Sequence, residues 1–326
     1  MTDNFYNNFI AELKSWSQQL KWQPDIELPT LAENLPIVVA GMGGSGLPGR
    51  ILKTYSQKQI INHHNYGLPQ NITKATLVAI SYSGNTTETI DALKTALKAN
   101  WPVVVITGGG QLKQLAIDYN LPLIEIPPIV SQPRLALPIV TKILAHILLE
   151  TNIIQEIEKT ANQLAFDSLT SIAQAMAQNT QNNWPVILTT AEYATLAYIW
   201  KISINENAKR PALISIIPEM NHNEIEGLLN NKQEISLIAL TASQKNNHPN
   251  QKRLNLTLEI AKDLNQVTFV YDLLNEQINN FWNGTLLGNL YSLELAKING
   301  TDPLTVPVIE KFKQKLSSTD DFTKKI

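Results

Sequence analysis

The sequence predicts an α/β protein made of two parallel sheets, each flanked by helices. Three observations carry that prediction. Short unbroken apolar runs recur along the chain, segments of helical periodicity separate them, and the alternation stops near the middle and then restarts. A strand covered on both faces has no polar side, so it reads as a continuous apolar run, the mark of a parallel sheet with helices above and below. The 326 residues suit two domains of about 150 residues each.

In the first half, Ile37–Ala40 (IVVA), Thr76–Ile80 (TLVAI) and Val103–Ile106 (VVVI) are the expected strands. Helical spacing runs over Ser45–Ser56 and Thr86–Ala99, and a long helix over Arg134–Leu149 closes the unit. Asn152–Gln178 is polar, helical in pattern and without a strand signal, so it is expected to be a connector. The second half repeats the alternation, with strands at Pro185–Leu188, Ala212–Ile217, Ile235–Leu240 and Val267–Tyr271. Its helices fall near Tyr193–Lys209, Gln251–Leu264 and Gln277–Ile298. The expected division is therefore 1–151 and 152–326, with the connector over about 152–180.

Composition removes several function classes. Twenty-six Lys plus Arg against 28 Asp plus Glu give a net charge of −2, so there is no basic excess to grip a nucleic-acid backbone. Cysteine is absent, which excludes disulfides, thiolate nucleophiles and Cys-ligated metal sites, and suits a reducing compartment. The start, MTDNFYNNFIAELKSW, lacks a basic segment followed by an apolar one and is not a signal peptide. The longest apolar stretch, Leu135–Glu150, is broken by Lys142 and His146 and falls short of the ~20 residues of a membrane span. A cytoplasmic protein with no membrane or nucleic-acid partner is expected. The five histidines show no HxH, HExxH or HxxxH spacing, so no metal site is expected either.

After the first strand comes Gly41-Met42-Gly43-Gly44-Ser45-Gly46. Glycines let the backbone turn sharply and bring N–H groups close to an anion, and the following helix adds its positive end. Gly41, Gly43 and Gly46 also spell the dinucleotide fingerprint. That reading needs an acid about 20 residues on to hold a ribose, and no Asp or Glu occurs between Glu33 and Glu88. The next strand runs into Ser81-Tyr82-Ser83-Gly84-Asn85-Thr86, a hydroxyl cluster where a strand's carboxyl end meets a helix. Ser81, Ser83 and Thr86 suit the oxygens of a phosphate, and equally suit a turn with Thr86 as helix cap. A glycine-rich and a hydroxyl-rich loop at successive strand ends favour a phosphate monoester. Arg134, after Pro133, sits where its helix dipole disfavours a cation, and equally suits an ordinary surface position.

In the second half, Ile199, Ile202 and Glu206 are spaced by three and four, which puts a carboxylate on an apolar stripe. Lost hydration there raises a carboxyl pKa toward the range of a general base, while Lys209 and Arg210 offer a structural ion pair instead. His222 lies in the loop Pro218–Gly227 among asparagines, suited to proton transfer near neutral pH or to a plain surface role. Lys297 continues the stripe Leu286, Leu290, Leu293, either as a snorkelling lysine or as an ammonium aimed into a cleft.

The pairing of GMGGSG with SYSGNTTET resembles the sugar isomerase (SIS) domain, a flavodoxin-like phosphosugar-binding fold. NENAK, PEMNHNEIEG and LELAKINGTDPLTVPVIEKFK extend the likeness over nearly the whole chain. They resemble the bifunctional phosphoglucose/phosphomannose isomerases, a family with two such domains. The resemblance implies that Gly44, Ser45, Ser81, Ser83 and Thr86 hold a sugar phosphate and that Glu206 is the base moving a proton between C1 and C2. It implies that His222 and Lys297 assist ring opening and that Arg134 stabilises the enediolate. It further implies a homodimer in which His222 reaches the site from the other subunit, with no metal or redox cofactor. Against that pattern stand Pro48 in the glycine loop, Thr189 where a glycine is expected, and Leu290, with Ser292 nearby, where dual-specificity members carry a small hydroxyl residue. A non-catalytic phosphosugar sensor on the same fold is the alternative; it would need the hydroxyl cradle but not Glu206, His222 or Lys297.

Overall fold

The computed structural model describes residues 2–318, apart from 33, 231–233, 265, 267 and 276. The chain begins with α1 (Thr2–Lys14) and α2 (Trp16–Leu20), followed by β1 (Ile37–Ala40), α3 (Leu47–Tyr55), β2 (Ile60–His63), β3 (Thr76–Ser81) and α4 (Thr87–Lys98). Then come β4 (Val103–Thr107), α5 (Gly110–Asp118), β5 (Leu123–Glu125), α6 (Leu137–Ile147), α7 (Thr151–Thr160) and α8 (Phe166–Thr180). The remainder is β6 (Trp184–Thr190), α9 (Ala194–Asn207), β7 (Leu213–Ile217), α10 (Glu224–Asn230), β8 (Ile235–Thr241), α11 (Pro249–Asp263), β9 (Thr268–Asp272), α12 (Ile278–Asn299) and α13 (Pro307–Ser318).

Two compact units result, and the chain ends are exchanged between them. The first unit comprises Gln18–Gln155 with Leu304–Ile326; the second comprises Met1–Ser17 with Glu156–Pro303. The expected division by sequence order, 1–151 and 152–326, thus assigns neither terminal helix to its own unit. Side-chain packing explains the N-terminal part. Phe9, Leu13 and Trp16 are buried, and Trp16 meets Trp282 of α12 edge-on with ring centroids 6.1 Å apart.

The first unit holds a five-stranded sheet in the order β2-β1-β3-β4-β5, parallel at every pairing. β1, β3 and β4 are buried along their whole length, because α4 and its neighbours cover the sheet. α4 turns Thr89, Ile90, Ala92, Leu93 and Ala96 inward at helical spacing, against a core that includes Leu77, Ala79, Val103 and Val105. This is the doubly wound order whose ligand crevice lies at the carboxyl ends of β1 and β3, where the chain reverses its winding direction.

The second unit repeats the order without a fifth strand, as β7-β6-β8-β9, again parallel. Its central helix, α12, is buried over most of its 22 residues. α12 packs on α9, with Trp200 and Tyr291 ring centroids 6.0 Å apart and the Trp200 indole N–H donating to Gly284 O at 2.8 Å. Desolvation pushes the Tyr291 phenol up to about 12, and Thr180 Oγ1 lies 2.7 Å from its oxygen.

The expected strands are present, except that Val267 lies outside the described residues. The expected long helix over Arg134–Leu149 is instead a short 3-10 turn, Pro133–Ala136, followed by α6. Pro138, lacking an N–H, stands in the first turn of α6 and so fixes where the regular helix begins. The connector expected over 152–178 breaks into α7 and α8. Among the described residues, no helix is long and apolar enough to cross a membrane.

Candidate functional site

The first unit gathers six of the expected residues at one crevice. From β1 the chain enters a 3-10 turn, Gly43–Gly46, and then α3. Pro48, expected to disturb this loop, sits instead in the first turn of α3, where a missing N–H costs nothing. Ser45 is nearly buried and its Oγ accepts the Tyr82 N–H at 3.1 Å, which links the two loops and leaves the hydroxyl proton for an anion. Ser81, the buried last residue of β3, accepts the Gly84 N–H at 3.1 Å and lies 3.0 Å from Thr86 Oγ1. One of these two hydroxyls donates to the other, so one proton remains to be offered outward. Thr86 occupies the cap position of α4, yet its side chain makes no capping bond, having turned to Ser81 instead. Ser83 is exposed, and its Oγ accepts the Asn85 N–H at 3.3 Å.

Arg134 joins the same cluster. Gly44 packs directly on its backbone: a Cβ at Gly44 would stand 2.9 Å from Arg134 N. The surface position that the sequence also allowed is overturned, because Arg134 is only 5% exposed. Its guanidinium is braced by Gln132 Oε1 and by Leu304 O, each at 3.3 Å. A guanidinium keeps its charge when buried, so this is a fixed cation on the turn that packs against the glycine loop. The Leu304 brace was not visible in the sequence, since it lies 170 residues away.

In the second unit, Glu206 lies half-buried in the last turn of α9. The two cations proposed as structural partners for it are engaged with backbone carbonyls. Lys209 Nζ donates to the carbonyls of Glu206 (2.8 Å) and Asp302, and Arg210 donates to Gln181 O and Asn183 O, both at 2.7 Å. The segment after α12 is tied to the same end of α9, with Asn299 Nδ2 donating to Ala208 O at 3.0 Å. Lys297 stands near the end of α12, and its ammonium donates to Glu294 Oε1 at 2.7 Å. Sequence reasoning missed Glu294, although a carboxylate three residues before a lysine on a helix is a legible pair. His222 is exposed at the end of a short 3-10 turn, Glu219–His222, after β7.

The positions that depart from the family pattern are also accounted for. Thr189 is buried within β6 and donates to Leu240 O at 2.9 Å, so no glycine turn begins there. Leu290 is buried. Ser292 accepts from Asn207 Nδ2 at 2.8 Å and donates to Asn289 O at 2.7 Å, inside the α9–α12 seam.

Two doubly wound parallel sheets, one with a glycine and hydroxyl crevice at its winding reversal, define a protein of the sugar isomerase domain class. Residues 170–316 match the bacterial phospho-glucose isomerase C-terminal SIS domain. A bifunctional phosphoglucose/phosphomannose isomerase of Thermoplasma acidophilum is 30% identical over 95% of this chain and 97% of its own length. A D-glucosamine-6-phosphate 4-epimerase of Sulfolobus acidocaldarius is 27% identical over 89% of this chain and 92% of its own. In fold, the chain is similar to the C-terminal domain of glucosamine-fructose-6-phosphate aminotransferase from Francisella tularensis. That likeness has a TM-score of 0.68 at 14% identity and covers 93% of this chain and 99% of the other. The chain belongs to the bifunctional phosphoglucose/phosphomannose isomerase family.

Proposed function

We propose that this chain is a metal-independent aldose–ketose isomerase that interconverts fructose 6-phosphate with glucose 6-phosphate and with mannose 6-phosphate. The observation that carries the reading is the Ser81–Thr86 hydroxyl pair at the end of β3, linked to the glycine loop through Ser45 and the Tyr82 N–H, with the backbone of the buried Arg134 packed against Gly44. These groups suit a dianionic phosphate with a fixed charge next to it. The activities named for the Thermoplasma relative support the choice of sugar.

In this mechanism the phosphate anchors on Ser45, Ser81, Ser83, Thr86 and the Gly44 backbone. The Glu206 carboxylate takes a proton from C1 of the open-chain ketose and returns it to C2 of the resulting cis-enediol(ate). Return to one face of C2 gives the glucose epimer, and return to the other gives the mannose epimer. Arg134 offsets the negative charge that builds on the enediolate oxygen. His222, contributed by a second copy of the chain, protonates the ring oxygen as the cyclic sugar opens. Lys297, paired with Glu294 at 2.7 Å, assists that opening. Leu290 and the internally bonded Ser292 leave no spare hydroxyl at the expected epimer-sorting position, so glucose 6-phosphate is the expected major product. A cytoplasmic setting suits a cysteine-free enzyme of sugar metabolism.

The test is isomerisation of fructose 6-phosphate in EDTA, with both aldose products resolved, for the wild type and Glu206→Gln. Wild-type turnover that survives chelation and falls by about 10²–10⁴-fold in the variant supports an enediol isomerase with Glu206 as its base. Binding without turnover favours the sensor. A second reading, C4 epimerisation of an amino sugar phosphate, rests on the Sulfolobus relative and is read by supplying glucosamine 6-phosphate. Mixing the Glu206→Gln and His222→Ala proteins tests the shared site: a regained fraction of activity means the two residues come from different subunits.

A further inference from the structure

The glycine loop does not stand alone. Both backbone polar groups of Gly41 are held at the end of β2 and the residue after it: Gly41 N–H donates to His63 O at 3.3 Å, and Gly41 O lies 2.7 Å from His64 Nδ1. The other ring nitrogen, His64 Nε2, lies 3.1 Å from Arg50 Nε on α3, the helix that follows the loop. A guanidinium only donates and a carbonyl only accepts, so these two contacts together fix the ring as the neutral tautomer with its proton on Nδ1. Gly46 closes the arrangement, since a Cβ there would stand 2.5 Å from Gly41 O and 2.7 Å from His64 Cε1. One imidazole therefore ties the first residue of the loop to the helix beyond it.

We propose that His64 is a positioning residue for the phosphate cradle, acting as a neutral Nδ1–H imidazole that clamps Gly41 and Arg50 around the glycine loop. The inference rests on the reading of that loop as a phosphate site. His64 touches no substrate in this role; it sets the path of the Gly43–Gly46 backbone and the direction from which Ser45 presents its hydroxyl. Among the described residues, the charged and titratable groups facing the ring are Arg50 on α3 and His63 on β2. Burial pushes the ring's pKa below its usual value, and those two neighbours push the same way, against the Gly41 hydrogen bond. The clamp is therefore intact at neutral pH. Protonation in mild acid would set an Nε2–H against the Arg50 N–H and open it.

The experiment measures KM and kcat for fructose 6-phosphate from pH 5.5 to 8 in the wild type, His64→Asn, His64→Gln and His64→Ala, with Ser81→Ala as a control. The substrate's own second ionisation, near pH 6, is common to all and cancels in ratios to the wild type. His64→Ala is expected to raise KM about tenfold at pH 8 with kcat within about twofold of the wild type. His64→Asn, whose amide reproduces the donor to Gly41, should restore most of the KM and lose the extra rise below pH 6.5. His64→Gln, which reproduces only the acceptor for Arg50, should recover less. An unchanged KM in His64→Ala, or a wild-type acid limb persisting in His64→Asn, overturns the inference. If His64→Ala does not fold, the pH profile of His64→Asn alone decides. If Ser81→Ala also leaves KM unchanged, it is the phosphate reading that fails.

Discussion

The two sheets share a winding order, yet the crevices at their reversals have opposite chemistry. In the first unit the strand register pairs Ser81 with Thr107; in the second it pairs Thr241 with Asp272. The residue after each strand end shows the difference. Tyr82 N–H goes to Ser45 Oγ, a hydroxyl that keeps its own proton to give, whereas Ala242 N–H goes to Gln251 Oε1 at 3.1 Å, an oxygen with no proton. One step further, Ser243 N–H and Leu274 N–H both go to Asp272 Oδ1, at 2.9 and 2.8 Å. Where the first unit has its glycine turn, the second has Ala191–Tyr193, with Glu192 taking a bond from Asn250 Nδ2 at 3.0 Å. Topology supplies a crevice in both units. Among the described residues, the first crevice keeps the Ser45 hydroxyl proton uncommitted, whereas in the second the Ala242, Ser243 and Leu274 N–H groups are taken by Gln251 and Asp272.

The largest expected effect breaks the first crevice and spares the second. Ser81→Ala removes a buried hydroxyl that pairs with Thr86 and accepts Gly84 N–H. Fructose 6-phosphate affinity, read by titration calorimetry, should fall about 10- to 100-fold, the worth of about 1.5–3 kcal/mol for hydrogen bonding to a charged group. Thr241→Ala at the matching strand end should leave it within about twofold. Equal losses in both would mean that the crevices are not functionally distinct.

How far this contrast was legible beforehand depends on the range of each interaction. The central strands of both sheets, the glycine turn and the Ser81–Thr86 cluster follow from local patterns, and so were readable, whereas the edge strands β2 and β5 were not among the expected ones. Local pattern left Thr86 between helix cap and phosphate ligand, and its side chain turns to Ser81 rather than to the α4 backbone. Arg134 looked like the start of a helix because its braces, Gln132 and Leu304, matter only once the chain end has returned to the first unit. Histidine spacing said nothing about His64, because the carbonyl and the guanidinium that it meets come from a loop and a helix. The exchange of the terminal helices was out of reach, since an amphipathic helix advertises an apolar face but not the surface that will cover it.

A middle-sized effect tests whether the second crevice depends on satisfying itself. Gln251 is buried and spends its carboxamide on Ala242 N–H and Asn255 Oδ1. Gln251→Leu fills similar space but orphans the buried Ala242 N–H, at a cost of about 1–3 kcal/mol in denaturant unfolding. Gln251→Glu keeps an acceptor and should recover part of that. If the leucine variant were as stable as the wild type, the self-satisfied description of this crevice would be wrong.

The smallest effect sharpens the same point through pH. Burial alone would raise the Asp272 carboxyl pKa, but hydrogen bonds from Ser243 and Leu274 outweigh it and hold the value below the ordinary one. A depressed carboxyl pKa means that the unfolded chain binds the proton more readily than the folded one. The stabilisation is therefore complete above the unfolded value near 4 and is lost as pH falls through the folded value. Asp272 is exposed, so solvent screening keeps the gain below about 1 kcal/mol. Asp272→Asn should lower the unfolding midpoint slightly at pH 7 and shrink the gap to the wild type as pH drops below about 4. It should leave fructose 6-phosphate affinity unchanged, because a neutral amide still accepts both N–H groups and frees none for an anion. Measurable phosphate affinity appearing in the second unit of that variant would show that the Asp272 charge, rather than the spent donors, is what keeps anions out.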